Sequence, residues 1–288
     1  MTATSDAVAP SNRRERFLLE LRFDGSRFRG WQKQGEAHVR TVQGVLLDAA
    51  AGFLPSGARV DLQGCGRTDA GVHAIAYAAH LDAPAGQDPD RLLRDLNHAL
   101  PADIAVDAVR RVDPRFHARH SCVGRSYLYS LALAKPVLRR RLAWWPGEEG
   151  VDLGRMAEAA LLFEGMHDFS GFAEPKERKG STRSLVFHCR VKRQGDLAMV
   201  RIVASHFLWH MVRRIVAFLV EIGRGGMSAK DIEAVLHRGE RGQVKGMAPA
   251  QGLFFERAFY DRTELDGFVV EAAANERIPS ELHPLLSI

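Results

Sequence analysis

The sequence has little cysteine and no long apolar run, and both shortages narrow what the chain can be. Its three cysteines, Cys65, Cys122 and Cys189, stand far apart among 288 residues. They make neither a CxxC pair nor an even-numbered framework, which argues against a thiolate metal site and a disulfide scaffold and fits a reducing cytoplasm. The longest apolar run, Ile215 to Val220, is far short of the roughly 20 residues a membrane-spanning helix needs. No apolar signal core marks the N-terminus, so no membrane partner is expected. Nor is there a large charge imbalance: 40 basic against 35 acidic residues give a net charge of +5 and a pI near 9.3. That excess favours a polyanionic partner without establishing one.

What is present is an ordinary globular composition, 46% hydrophobic and 26% charged, long enough for two moderate domains. Residues 1–14 read as a basic-ended disordered arm. Residues 15–115 carry strand patterns at FLLELRF, ARVDLQ, AIAYAAHLDA and IAVDAVRRV. Between them lie a helix capped by Thr41 and an amphipathic helix, DPDRLLRDLNHAL, stopped by Pro101. Residues 116–266 repeat the plan in element order only, with strands at RSYLYSLAL, LVFHCRVKRQ, LAMVRIVAS and FFERAFYD and helices at LGRMAEAALLFEG, FLWHMVRRIVAFLVEIGRG and SAKDIEAVLHRG. Residues 267–288 form a tail that is harder to place. Strands and helices that do not alternate as βαβ units predict an α+β fold: two similar domains, each a mixed or mostly antiparallel sheet with helices on one face, and an active-site cleft between them.

The segment GCGRTDAGVHA (Gly64–Ala74) carries the chemistry. Its glycines first suggest a phosphate cradle, but GxGxxG would need glycine where Asp69 stands, and a P-loop would need GK[ST] where Gly71, Val72 and His73 stand. A carboxylate at that apex would also repel phosphate. The glycines instead let the backbone turn sharply and a ligand approach closely, with Arg67 and Asp69 projecting from one loop. An aspartate two residues from an arginine can be kept ionised and offered as nucleophile or base. From the loop alone, an aspartate that merely closes a turn is the commoner case.

The loop does not stand alone. From about Phe17 to Tyr260 the chain resembles the TruA family of tRNA pseudouridine synthases: GRTDAGVHA is accompanied, in the family's order, by FDGSRFRGWQKQ, TVQG, ALPADIAV, FHAR leading to RSYLY, FLWHMVRRIV and MAPAQGL. The resemblance implies that Asp69 is the nucleophile, that Tyr127 stacks on the target base, and that Arg213 approaches the carboxylate. It also implies uridine isomerisation in tRNA at positions 38 to 40 of the anticodon stem-loop, with no cofactor and no metal, by a homodimer. The residues do not distinguish attack on the sugar, attack on the base and proton abstraction from the sugar. Tyr129, on the same strand face as Tyr127, reads as core. Arg214 stands where the family usually has asparagine and reads as a surface charge or phosphate contact.

Basic residues interleaved with aromatics suit a structured RNA. Arg29, Lys33, Arg119 and Arg125, together with Arg22, Arg27 and Arg115, lie near Trp31, Phe116 and Tyr127 in sequence and are candidate RNA contacts. KERKGSTR (Lys176–Arg183) reads as a basic flap or a solvated insertion. His206 and His210, four apart, lack the glutamate and third ligand of a zinc helix. Two rivals remain: a non-catalytic RNA-binding or chaperone protein on the same fold, and a synthase for a different RNA.

Overall fold

The computed structural model describes residues 13–36, 38–174, 180–238 and 246–275. The expected arm lies outside them up to residue 12, as do Lys176–Lys179 of the basic loop and residues 276–288 of the expected tail. Arg14, assigned to the arm, already opens the first strand.

Strand β1 (Arg14–Phe23) runs antiparallel to both β3 (His73–Pro84) and β4 (Ile104–Val112). Its alternate residues Phe17, Leu19, Leu21 and Phe23 are all buried, as a half-covered strand of period two requires. In the second half β5 (Gly124–Ala132), β8 (Leu197–Ala204), β7 (Arg183–Gln194) and β6 (Gly165–Asp168) follow one another as antiparallel neighbours. The two halves share one sheet. The late strand β9 (Leu253–Phe259) lies between them, parallel to β3 and antiparallel to β5. It pairs with β3 only over His73–Ala76; farther along, the same edge of β3 is taken by β2 (Asp61–Gly64), which pairs with Ala79–Asp82. Where β9 and β2 part, the chain from β2 to β3 leaves the sheet.

Helices α1 (Val42–Phe53), α2 (Pro89–Ala99), α3 (Leu153–Leu161), α4 (Met211–Gly223) and α5 (Ala229–Arg238) supply the same hydrophobic core, on one face of the sheet. Thr41 caps α1 as expected, its Oγ1 accepting from the Gly44 N–H at 3.2 Å. Helix α4 is shorter than the apolar stripe suggests. His210 sits at its N-cap with φ 65°, a left-handed conformation that breaks the helix, so Phe207 lies ahead of it instead of on its core stripe. Residues 267–275, assigned to a tail, belong to α6 (Arg262–Asn275), whose Leu265 and Phe268 pack with Phe259 and Val203 on the opposite face.

Buried polar groups in this sheet have consequences for stability. Arg201 on β8 and Glu256 on β9 form an ion pair at 2.8 Å, 9% and 4% exposed, and Glu256 also accepts from Ser126 Oγ at 2.5 Å. Two buried histidines are held neutral. Desolvation, helped by Arg16 in one case and Arg190 in the other, pushes His80 and His188 down to about 4. His80 Nδ1 accepts the Ala118 N–H at 3.1 Å, and His188 Nε2 has no hydrogen-bond partner among the described residues. A histidine whose folded pKa is depressed takes up its proton more readily in the unfolded chain. Its contribution is therefore intact above about pH 6.5 and is lost as the pH falls toward 4. Between pH 7 and 5 each should cost roughly 2 kcal/mol. Thermal unfolding at the two pH values should show a clearly smaller loss for His188→Leu than for the unsubstituted protein.

Candidate active site

The loop from Cys65 to Val72 leaves the sheet at the point where β9 and β2 diverge, and the segment after β1 props it from below. The Trp31 N–H donates to the Thr68 carbonyl at 3.1 Å, and the Gly71 N–H donates to the Phe28 carbonyl at 3.3 Å. Gly30 has φ 94°, and a Cβ there would sit 2.5 Å from the Thr68 carbonyl oxygen, so only glycine permits both the turn and the approach. Trp31 itself is 1% exposed and packs on Tyr77, 4.3 Å between ring centroids, whose hydroxyl bonds the Gly66 carbonyl. FDGSRFRGW is thus scaffolding for the loop, and Trp31 is not an RNA-facing ring.

Asp69 projects from this scaffold into a cleft of about 970 Å³. Its side chain is 24% exposed, and residues from distant parts of the chain converge on its carboxylate. Arg213, on the first turn of α4, places Nη1 3.0 Å from Oδ2. Trp209 Nε1 donates to Oδ1 at 3.1 Å, and His210 Nε2 lies 3.3 Å from Oδ2. Arg213 is itself held: its Nε donates to the Ala248 carbonyl at 2.7 Å, and the Ala248 N–H donates back to the Arg213 carbonyl at 3.1 Å. The MAPAQGL segment is therefore the brace for Arg213. The expectation that Arg67 keeps Asp69 ionised is corrected: Arg67 is exposed at the cleft and pairs with no carboxylate among the described residues, while Arg213 makes that contact.

Tyr127, on the central strand β5, lines the cleft at 8% exposure. Its ring meets Phe207 and Phe255 edge to face at 4.9 and 5.1 Å. Burial raises the phenol well above its usual range, so it is neutral, and its hydroxyl has no partner among the described residues. Tyr129 by contrast is fully buried and donates to the Pro249 carbonyl at 2.7 Å, a structural role.

Of the cationic candidates, Arg29, Arg67 and Arg119 are exposed at the cleft. Lys33 is exposed beside it, 3.8 Å from Asp48. Arg22 and Arg115 pair with Asp107 and Asp113. Arg125 differs from what its sequence neighbours suggest. It is 8% exposed, and its guanidinium donates to the carbonyls of Cys65, Arg119 and Ser205, tying the Asp69 loop to the cleft wall. A buried arginine with those partners is a strut, not a grip on solvent-exposed phosphate. His206 and His210 have separate surroundings: His206 Nδ1 meets Ser205 Oγ at 3.2 Å, whereas His210 lies between two carboxylates. Among the described residues no cluster of three or more His, Cys, Asp or Glu side chains could hold a metal ion. Sequence reasoning passed over Trp209 and Glu174, and weighed His210 only as a metal ligand.

Comparison with known proteins covers both halves of the sheet. A family profile described as tRNA pseudouridine synthase matches residues 21–121 and 159–261. The chain is similar to tRNA pseudouridine synthase A of Zymomonas mobilis, 37% identical over 247 residues, covering 85% of this chain and 99% of the relative. The corresponding protein of Azorhizobium caulinodans is 37% identical, with 91% and 99% covered, and that of Solidesulfovibrio magneticus is 39% identical, with 85% and 91% covered.

Proposed function

The chain belongs to the tRNA pseudouridine synthase family, and from that premise we propose that it isomerises uridine in the anticodon stem-loop of tRNA with Asp69 as the nucleophile. It is an isomerase acting on RNA, and tRNA is its substrate. The observation that carries the role of Asp69 is the convergence of Arg213, Trp209 and His210 on a carboxylate open to a cleft. These contacts hold the carboxylate in one orientation toward the cleft, where a nucleophile must stand.

Isomerisation breaks the bond between ribose C1′ and uracil N1, turns the base in place and rejoins it through C5, which gives up its proton while N1 takes one up. The target must first leave its stack, at a cost of a few kcal/mol that contacts to the surrounding RNA offset. Tyr127 supplies a flat apolar face beside Asp69 for the extruded ring, and its unpartnered neutral hydroxyl offers a hydrogen bond to a base edge. Arg67, Arg29, Arg119 and Lys33 meet the phosphates on either side. Two copies of the chain form the working homodimer in the cytoplasm, a reading that rests on the family resemblance. No helix among the described residues is long and apolar enough to cross a membrane.

The test is direct. Protein treated with chelator and given no cofactor should convert uridine to pseudouridine in an unmodified tRNA transcript, read by mass mapping of the anticodon arm; unconverted transcript would refute the proposal. The cationic rim has its own signature. Arg119→Ala should weaken binding of all tRNAs alike and lower the slope of log affinity against log salt by about 1, as loss of one phosphate contact requires. An unchanged slope would remove Arg119 from the RNA face.

A further inference from the structure

Among the described residues His210 is the one non-glycine with positive φ, at 65°. It occupies the N-cap of α4 yet makes no capping hydrogen bond with its side chain. A conformation that L side chains rarely adopt is thus maintained at a position where the usual return, a satisfied helix terminus, is missing. The imidazole is spent elsewhere. Its Nε2 lies 3.3 Å from Asp69 Oδ2 and its Nδ1 lies 3.2 Å from Glu174 Oε1, so the ring spans two carboxylates. Trp209 packs over it with centroids 4.5 Å apart, and the indole of that same residue donates to the other oxygen of Asp69.

Glu174 follows the short 3-10 turn Phe169–Phe172 and belongs to none of the motifs that identify the family. It is anchored from two sides. Its N–H donates to the Trp209 carbonyl at 3.4 Å, and the Arg214 guanidinium bonds the same Oε1 that faces His210. Arg214 first and His210 second hold the Glu174 carboxyl below its ordinary range, so it stays an anion. The charged groups around His210 are Asp69, Glu174, Arg213 and Arg214. Both ring nitrogens face carboxylate oxygens, and both can donate only when the imidazole carries its second proton.

We propose that Glu174, acting through His210, is a positioning residue of the catalytic centre, the far end of a carboxylate–imidazole–carboxylate chain that orients the Asp69 side chain for attack. The inference rests on the reading of Asp69 as nucleophile. Glu174 fixes the plane of the imidazole; the imidazole, with Arg213 and Trp209, leaves Asp69 one rotamer. Arg214, a departure from the family's usual residue, acts as the clamp on Glu174.

The measurement is single-turnover and steady-state release of tritium from tRNA transcript labelled at uracil C5, across pH 5.5 to 9, for the unsubstituted protein, Glu174→Ala, Glu174→Asp and Asp69→Ala. Glu174→Ala should lower kcat roughly 10- to 100-fold, the scale of a misplaced reacting group, while KM and tRNA affinity stay within about twofold. Glu174→Asp should recover part of kcat. A structural role alone would lower kcat only in step with the melting temperature. A normal kcat in Glu174→Ala would overturn the inference, and so would a loss that follows the melting temperature and is not rescued by aspartate. Asp69→Ala separates the two readings: its activity would refute the nucleophile assignment itself, whereas its inertness leaves the Glu174 variants as the test of the chain behind it.

Discussion

Asp69→Asn should lower turnover by roughly 10⁴-fold or more, the scale seen when a covalent catalyst is removed, and leave tRNA affinity nearly unchanged. The amide matches the carboxylate in shape and can still accept one hydrogen bond, so the loop, already pinned by Trp31 and Phe28, has no reason to move. What disappears is the carboxylate whose Oδ2 meets Arg213 and whose Oδ1 meets Trp209, and an amide is no nucleophile. Affinity comes from cations meeting phosphate, and removing a negative charge from the floor of the cleft does not weaken it. Filter binding and pseudouridine mapping on the same preparation check both halves. A variant that modifies tRNA at the normal rate would end the assignment.

Glu256→Ala should lose about 3–5 kcal/mol in urea unfolding, the cost of stripping one partner from a buried ion pair. With domain stabilities of about 5–15 kcal/mol, that is a large share of the total. The substitution removes the carboxylate from Arg201, which is 9% exposed on the same face of the sheet two strands away, and takes the acceptor from Ser126. Replacing both charges with apolar residues of similar volume, as in Arg201→Met with Glu256→Leu, should restore most of the stability, since the burial cost is then removed along with the attraction. A single variant that unfolds at the same urea concentration as the unsubstituted protein would show that the pair is solvated.

How much of this could be read from the residues follows from the range over which each feature acts. Strands β1, β3, β5, β7 and β8 and the helices around Leu92 and Met156 were legible because their signals are local: alternation, capping, a stopping proline. That Asp69, Tyr127 and Arg213 line one cleft was legible because a nine-residue signature surrounds the first and the segments of the other two come in the family's order. The start of α4 was not, since nothing marks a histidine as left-handed in advance and the apolar stripe runs past His210 without a break. Helix α6 was cut at Gly267, a residue that punctuates chains more often than it sits inside helices. Arg125 was misjudged for another reason: a buried arginine satisfied by carbonyls has the same letter as an exposed one. Trp209, Glu174 and the carboxylate contacts of His210 escaped because each meets its partner across a long stretch of chain, where no spacing rule reaches.

The position of β9 in the sheet also bears on how the protein comes into being. On the ribosome, β3 and β5 are complete well before residues 253–259 emerge, yet each awaits that strand along one edge. Until then the growing chain carries two halves with open strand edges. Such edges invite pairing with other chains. Competence to act on RNA therefore arrives late in synthesis, in one step, when β9 enters between the halves, and a nascent chain stalled before residue 253 should be inert and prone to aggregate.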